Sequence, residues 1–269
     1  MQWEHLTPAD FEEFFAQGNT MCVVPVGSME KHGKHLPVGN DTLTGNIICQ
    51  RVAERVPCIV TPPFYITHVC PASTAPGALH LSVPDLLDYF GKICDEIGRN
   101  GFKKIVLVSA HGGNWVWLPP LVKDLGCRNK PYFAFTCGTQ FMGREEDKEL
   151  FDAPRDLGGH GGASETAVAL ELYGDLVRRD EMEKHEAVYE SSLPYDVSPA
   201  QGTYDFVASY PKIYNGRPAA ATKEIGKILV EHAVEDLAKV LLKIHETDIT
   251  VLENMRDRLE AMTASPKDR

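Results

Sequence analysis

The strongest constraint on this 269-residue chain is an alternation of two kinds of segment. Four short apolar runs rich in β-branched or aromatic side chains, MCVVPVG (21–27), CIVTPPF (58–64), KIVLVSA (104–110) and YFAFTCG (132–138), read as strands. Helical spacing lies between and after them: at 42–56 (Leu43, Ile47, Ile48, Val52, Val56), at 84–99 (Leu86, Leu87, Phe90, Ile93, Cys94, Ile97), and in a Trp-Leu-rich stretch near 114–125. Two further helices are predicted, from Ser164 through ETAVALELYG and over 222–245. Strands alternating with helices imply an α/β fold with a mostly parallel central sheet flanked by helices on both faces. The first fifteen residues predict a short amphipathic helix, with Pro8 at an early position and Thr7 as its cap.

The length and a 43% hydrophobic content suit one domain over 1–269. Residues 139–159 and 184–220 are polar and too long for simple connections, so they are candidates for active-site loops or subunit contacts. The tail 254–269 is polar and expected to fray at its end. A net charge of -11 argues against nucleic-acid or anionic-membrane partners, which need a basic surface, and leaves a small molecule as the expected partner. No basic head with an apolar core opens the chain, and no run of 18 apolar residues follows, which predicts a cytoplasmic protein. Seven cysteines without a CxxC pair, mostly in apolar stretches, predict reduced core thiols.

Open α/β sheets carry their sites at the carboxyl ends of the strands. After MCVVPVG comes SMEKHG, and after KIVLVS comes AHGGN. Glu30 and His32 are two apart, so extended backbone would project both to one side. Gly33, Pro37 and Gly39 let the loop turn back toward Asp41, which opens the helix DTLTGN and by itself reads as an N-cap. His111 follows an apolar strand directly, with two glycines that permit close backbone approach. In LGGHGGASETA, His160 lies among four glycines, and Glu165 follows near a helix start; Gly162 three residues before it rules out a Ser/Thr capping box.

Glu30, His32, Asp41, His111 and Glu165 make a mixed oxygen and nitrogen donor set that suits Zn²⁺ or Mn²⁺, with Fe²⁺ also accepted. Five donors exceed what one tetrahedral zinc requires, and a shared carboxylate would use them on two ions. Three carboxylates against two divalent ions leave about +1, which one bridging hydroxide would neutralise. Without metal the carboxylates would repel, and at least one should hold its proton.

At PVGSMEKHGKHLPVGNDT (25–42), SAHGGN (109–114) and GGHGGASET (158–166) the chain resembles the creatininase (creatinine amidohydrolase) family, with weaker agreement at PGALHLS (76–82) and NGRPAAATKEIG (215–226). The resemblance implies a three-layer α/β sandwich assembled into homo-oligomers, often hexamers. It implies one ion on Glu30, Asp41 and His111 and a second on His32, Asp41 and Glu165, with Asp41 bridging and His160 as proton donor or acceptor. The reaction implied is metal-assisted hydrolysis of a C–N amide bond in a small cyclic amide, a formamide or a short peptide. Where creatininase itself has a second acidic residue and pocket tryptophans, this chain reads HGGN and DAPRDLGGH, with Asp156 where an aromatic wall is expected, so the likeness extends to the reaction class and not to creatinine.

His35 and Ser28 are expected either to hydrogen-bond a ligand or to pack. His68 and His80 are expected either in ordinary loop positions or lining the substrate pocket, and Trp115 and Trp117 in core or interface packing or as pocket walls. Two rival readings come from other classes. A non-catalytic metal protein would have no need of His160. A dinuclear phosphoesterase would want arginines, and only Arg144 and Arg155 stand near the ligand blocks.

Overall fold

The computed structural model describes residues 1–70, 72–139, 144–151, 159–182, 206, 213–214 and 216–263. Strands β1 (Met21–Val26), β2 (Ile59–Val60), β3 (Lys104–Ser109) and β4 (Phe133–Gly138) form one parallel sheet in the order β2-β1-β3-β4. Met21 pairs with Lys104 and Val26 with Ser109, so the two central strands end level with each other. β2 is shorter than the apolar run 58–64 because Pro62 and Pro63 have no N–H for a ladder. The chain returns to the sheet edge at Phe64, whose N–H donates to Pro25 O while Gly27 N–H donates to Phe64 O.

Helices α1 (Pro8–Ala16), α2 (Asn40–Val52), α3 (Val83–Arg99), α4 (Leu118–Cys127), α5 (Ala163–Tyr173), α6 (Lys223–Glu246) and α7 (Ile249–Thr263) accompany the sheet. The period-2 geometry of the strands sorts their side chains into two cores. Met21, Val23, Val106 and Val108 face α2, α5 and α6, where Ile48, Val168, Leu229 and Leu237 are buried with them. Cys22, Val24, Ile105 and Leu107 face α1, α3 and α4, where Phe14, Phe90, Trp117 and Leu121 close the other side. Helix, sheet and helix therefore stack in three layers, as the alternation of segments predicts. Thr7 does cap α1, in a box with Asp10.

Three expectations change in detail. The stretch near 114–125 begins as a 3-10 turn (Gly112–Val116) before α4. The tail is helical as far as Thr263, held by Asn129 donating to Glu260 at 3.2 Å and by the Arg256 guanidinium over the Phe133 ring; its last six residues lie outside the described ones. Cys70 and Cys127 are exposed, the other five cysteines are buried or half-buried, and all seven are unpaired thiols. Most of 139–159 and 184–220, including Arg155 and Asp156, lies outside the described residues. Within the first stretch, Arg144 is spent on Asp236 and Glu235 of α6, each at 2.7 Å, and Asp147 on His232 at 2.6 Å. No helix among the described residues is long and apolar enough to cross a membrane.

α5 and α6 touch through Gly226, where an added Cβ would meet the Ala167 carbonyl oxygen at 1.9 Å. Helix propensity alone would favour alanine there by about 1 kcal/mol. Overpacking against backbone should reverse that sign, so Gly226→Ala is expected to destabilise the fold by roughly 1–3 kcal/mol, visible as a lowered Tm in thermal unfolding.

Candidate metal centre

β1 and β3 deliver two of the site's segments from adjacent carboxyl ends. Beyond Val26 the strand geometry stops, so extended backbone does not align Glu30 with His32. Glu30 N–H instead donates to Val38 O across the loop at 2.9 Å, and the two side chains converge with His32 Nε2 at 3.9 Å from Glu30 Oε1. Asp41 is not the N-cap of α2, a position held by Gly39; it is the second helical residue, and its carboxylate is directed elsewhere.

That carboxylate is divided between two imidazoles. Oδ1 lies 3.0 Å from His32 Nε2, and Oδ2 lies 3.0 Å from His111 Nδ1. Ser28 Oγ also donates to Oδ2 at 2.8 Å, which answers the question of its role, and Asn40 Nδ2 approaches Oδ1 at 3.4 Å. His111 Nδ1 is 2.9 Å from Glu30 Oε1, His32 Nε2 is 3.7 Å from Glu165 Oε2, and His160 Nδ1 is 3.9 Å from Glu30 Oε1. All six residues singled out from the sequence therefore meet. Glu30, His32, Asp41 and His111 are buried, while His160 and Glu165 stand at the partly open side.

Each of the three imidazoles spends one nitrogen on a main-chain carbonyl: His32 Nδ1 on Glu30 O at 3.2 Å, His111 Nε2 on His68 O at 3.0 Å, and His160 Nε2 on Lys31 O at 2.7 Å. A carbonyl only accepts, so the nitrogen facing it carries hydrogen and the other nitrogen is turned to the centre. This is how a protein fixes the tautomer of a metal-binding histidine. Two donor triads have ligand atoms within 4.8 Å of one another: Glu30, Asp41 and His111, and Glu30, His32 and His160. Buried carboxylates facing oriented imidazole nitrogens fit a divalent cation of the Zn²⁺ or Mn²⁺ kind.

Titration follows from the crowding. Burial would lower His32, but Asp41, Glu165 and Glu30 outweigh it and raise the imidazole to about 10. Burial opposes the charged form of His111 too, yet its bonds to Asp41 and Glu30 hold it well above the ordinary value. Asp41, which burial would push up, is held well below the usual carboxylate range by His32 and His111. Glu165 is pushed up to about 7 by burial, with Asp41 and Glu30 adding to that and His32 opposing it, so one carboxyl of the cluster does approach keeping its proton at neutral pH. His160 falls to about 4, first through burial and then through His32.

Of the two glycines after His111, Gly113 also has a role inside the fold. A Cβ on Gly113 would lie 2.3 Å from His111 Nε2 and 2.5 Å from His68 O, so its absence makes room for the bond that orients the imidazole. His35 is buried and bonds Thr166 Oγ1 at 2.9 Å, tying the ligand loop to the helix that carries Glu165. His80 Nδ1 accepts from Val69 N–H at 3.2 Å. Trp117 is fully buried and donates to Asn114 Oδ1, whereas Trp115 is 49% exposed.

Three contributors escape sequence reading. Asn114 anchors the turn after β3 by donating to Val26 O at 3.0 Å, and the only signal was its place at the end of AHGGN. Tyr173 OH contacts both Asn40 and Thr44 beside Asp41, with no local signal at all. Phe206 sets its ring edge-to-face with His160 at 5.7 Å; the sequence predicts its stretch, 184–220, as an active-site loop or subunit contact, but no signal singles out this residue.

Comparison with known proteins agrees with the fold. A creatinine amidohydrolase from Pseudomonas putida is 26% identical over 258 residues, 88% of this chain and 94% of its own length. A mycofactocin precursor peptide peptidase from Mycolicibacterium smegmatis is 29% identical over 171 residues, 60% of this chain and 62% of its own. Among solved structures, a mutant creatininase of Zn-Zn type superposes with a TM-score of 0.76 at 23% identity, covering 91% of this chain and 98% of that one, which is a likeness of fold. The family model described as creatinine amidohydrolase matches residues 4–241, and the chain belongs to the creatininase family.

Proposed function

We propose that the chain is a metal-dependent amidohydrolase that cleaves a C–N amide bond of a small molecule on a dinuclear centre. The observation that carries this reading is the division of the Asp41 carboxylate, one oxygen toward His32 and the other toward His111. A carboxylate so placed can serve two cations at once. Glu30, Asp41 and His111 would hold one ion, and His32 with Asp41 and Glu165 the other. Either Glu165 or His160 could complete the second set. The carboxylate is the better choice because it neutralises more of the ions' charge, and it leaves His160 for proton transfer. The names of the relatives, an amidohydrolase and a peptidase, support C–N hydrolysis as the reaction class.

Bound there, divalent ions would polarise an amide carbonyl and lower the pKa of the water that attacks it. The chain's own residues do the rest. His160 stays neutral at pH 7, and with Nε2–H fixed on Lys31 O its Nδ1 lone pair is turned toward the site. It can take the proton released as water attacks and return that proton to the departing nitrogen. Gly161 N–H donates to Glu165 Oε2 at 2.7 Å and keeps that carboxylate aimed inward beside His160. The partly buried setting limits competing solvent, and Phe206 braces the His160 ring against swinging away.

Three outcomes test the proposal. Asp41→Ala should lose both ions, measured as metal per chain by elemental analysis; full occupancy would remove the bridging role. His160→Ala should keep its metal while turnover of an amide substrate, found by screening cyclic amides, formamides and short peptides, drops roughly 10²–10⁴-fold. The third concerns pH. Without metal His32 and His111 hold protons and Glu165 titrates at about 7, while bound imidazoles must be neutral and bound carboxylates ionised, so uptake expels roughly two to three protons per chain and affinity rises with pH. Calorimetric titration with Zn²⁺ or Mn²⁺ in buffers of differing ionisation heat reads this directly, and affinity unchanged between about pH 6 and 8 would contradict it.

A further inference from the structure

Two of the centre's histidines stand on the same local design. His32 is followed by Gly33 and His160 by Gly161, and both glycines take the left-handed backbone, at φ +72° and +70°. That conformation turns the chain sharply just behind each imidazole, and a side chain would be strained in it. One ring fills the space behind both turns. A Cβ on Gly33 would lie 3.4 Å from Tyr214 Cδ2, and a Cβ on Gly161 would lie 3.1 Å from that same carbon and 3.0 Å from the His32 carbonyl carbon. The turn that carries His160 therefore rests on the backbone of His32, with Tyr214 set against both.

Tyr214 is itself held from several sides. It is buried, its hydroxyl donates to Gly216 O at 3.1 Å, and its ring meets the His35 imidazole edge-to-face at 5.8 Å. His35 in turn bonds Thr166 beside Glu165, so the contact extends to the start of α5. The backbone that delivers the ring is strained. Among the described residues the non-glycine positions with a left-handed φ are Asn129 and Ile213, and the β-branched side chain of Ile213, at φ +53°, is crowded where asparagine is tolerated. Such strain persists only where the surroundings over-determine it. Ile213 immediately precedes Tyr214, so the strain sits where the chain aims the ring.

We infer that Tyr214 is a positioning residue: its ring wedges the two His-Gly turns at a fixed spacing and so sets the His160 imidazole over that of His32, with Nδ1 toward the centre. The two imidazoles lie 4.1 Å apart at 34°, and Lys31 O, from the residue before His32, holds the far nitrogen of His160. With the ring removed, the Gly161 turn can sink into the vacated space and carry His160 out of that stack, because glycine has no Cβ to stop it. The wedging atoms are ring carbons, which makes phenylalanine an adequate replacement and a smaller side chain an inadequate one. The consequence for proton transfer rests on the amidohydrolase reading; the wedge itself does not.

The test uses the Zn²⁺-loaded full chain with ¹⁵N-labelled histidine and follows solvent exchange of the His160 Nε2 hydrogen by NMR, since exchange requires its bond to Lys31 O to open. Tyr214→Ala should speed exchange roughly tenfold or more, the scale of one weakened hydrogen bond, with metal per chain unchanged, while Tyr214→Phe keeps native protection. Native protection in Tyr214→Ala, or equal loss in Tyr214→Phe, would overturn the wedge. Where Tyr214→Ala does not fold, Tyr214→Leu replaces it, filling volume without a planar ring. Phe14→Leu, in the core on the other face of the sheet, is the control: a lowered Tm with the His160 hydrogen still protected separates positioning from general stability, and equal loss there removes the assignment. With an amide substrate in hand, Tyr214→Ala should lower kcat roughly 10- to 100-fold at unchanged KM, and Tyr214→Phe should retain it. Unchanged kcat alongside lost protection would strike out the role in proton transfer. Absence of amide turnover in the native chain, with the exchange results as expected, would sink the amidohydrolase reading and leave the wedge standing.

Discussion

Everything at this centre depends on main-chain carbonyls that each hold one face of an imidazole. Glu30 O, His68 O and Lys31 O are supplied by loop backbone, and no side chain needs to be correct for them to accept. The cost of the arrangement is backbone geometry: the carbonyls must point inward from three separate turns. The level ends of β1 and β3, the room left by Gly113 and the Asn114 bond to Val26 O meet that requirement. Imidazoles held this way cannot rotate without breaking a hydrogen bond, so donor atoms are positioned before any ligand arrives.

The electrostatics of the empty and loaded forms are complementary. Three carboxylates in a buried space would repel, and the metal-free protein answers by keeping protons on His32 and His111 and by raising Glu165 toward neutrality. A divalent cation would compete with these protons for the same small volume, since each neutralises the same acidic oxygens. His160 is the exception: burial and the neighbouring His32 charge both work against a proton on its ring.

The layers and the site were legible in the sequence to different degrees. Strand runs at 21–27 and 104–110 were unambiguous because both central strands are buried on each face, and ligand-type residues followed each of them. The run at 58–64 was overread since composition does not register that two prolines interrupt a ladder. Asp41 looked like a helix cap because its local surroundings favour that role; only tertiary contacts with Ser28, His32 and His111 draw the carboxylate away from the backbone. Tyr173 and the His68 carbonyl were illegible for a related reason: a phenol on a distant helix and a peptide oxygen leave no trace in side-chain pattern. Long-range partners of His160, such as Phe206, lie beyond any local window.

Asp41 and Glu165 both occupy first turns, of α2 and α5 respectively, and both carboxylates meet His32. Two helices therefore begin at the same point, and each brings the positive end of its peptide dipoles there. This fixed field works against a cation, and the acidic side chains gathered there offset it. The same field welcomes electron density, so when an oxygen in the pocket gains negative character as a carbonyl carbon turns tetrahedral, the backbone is already polarised to receive it.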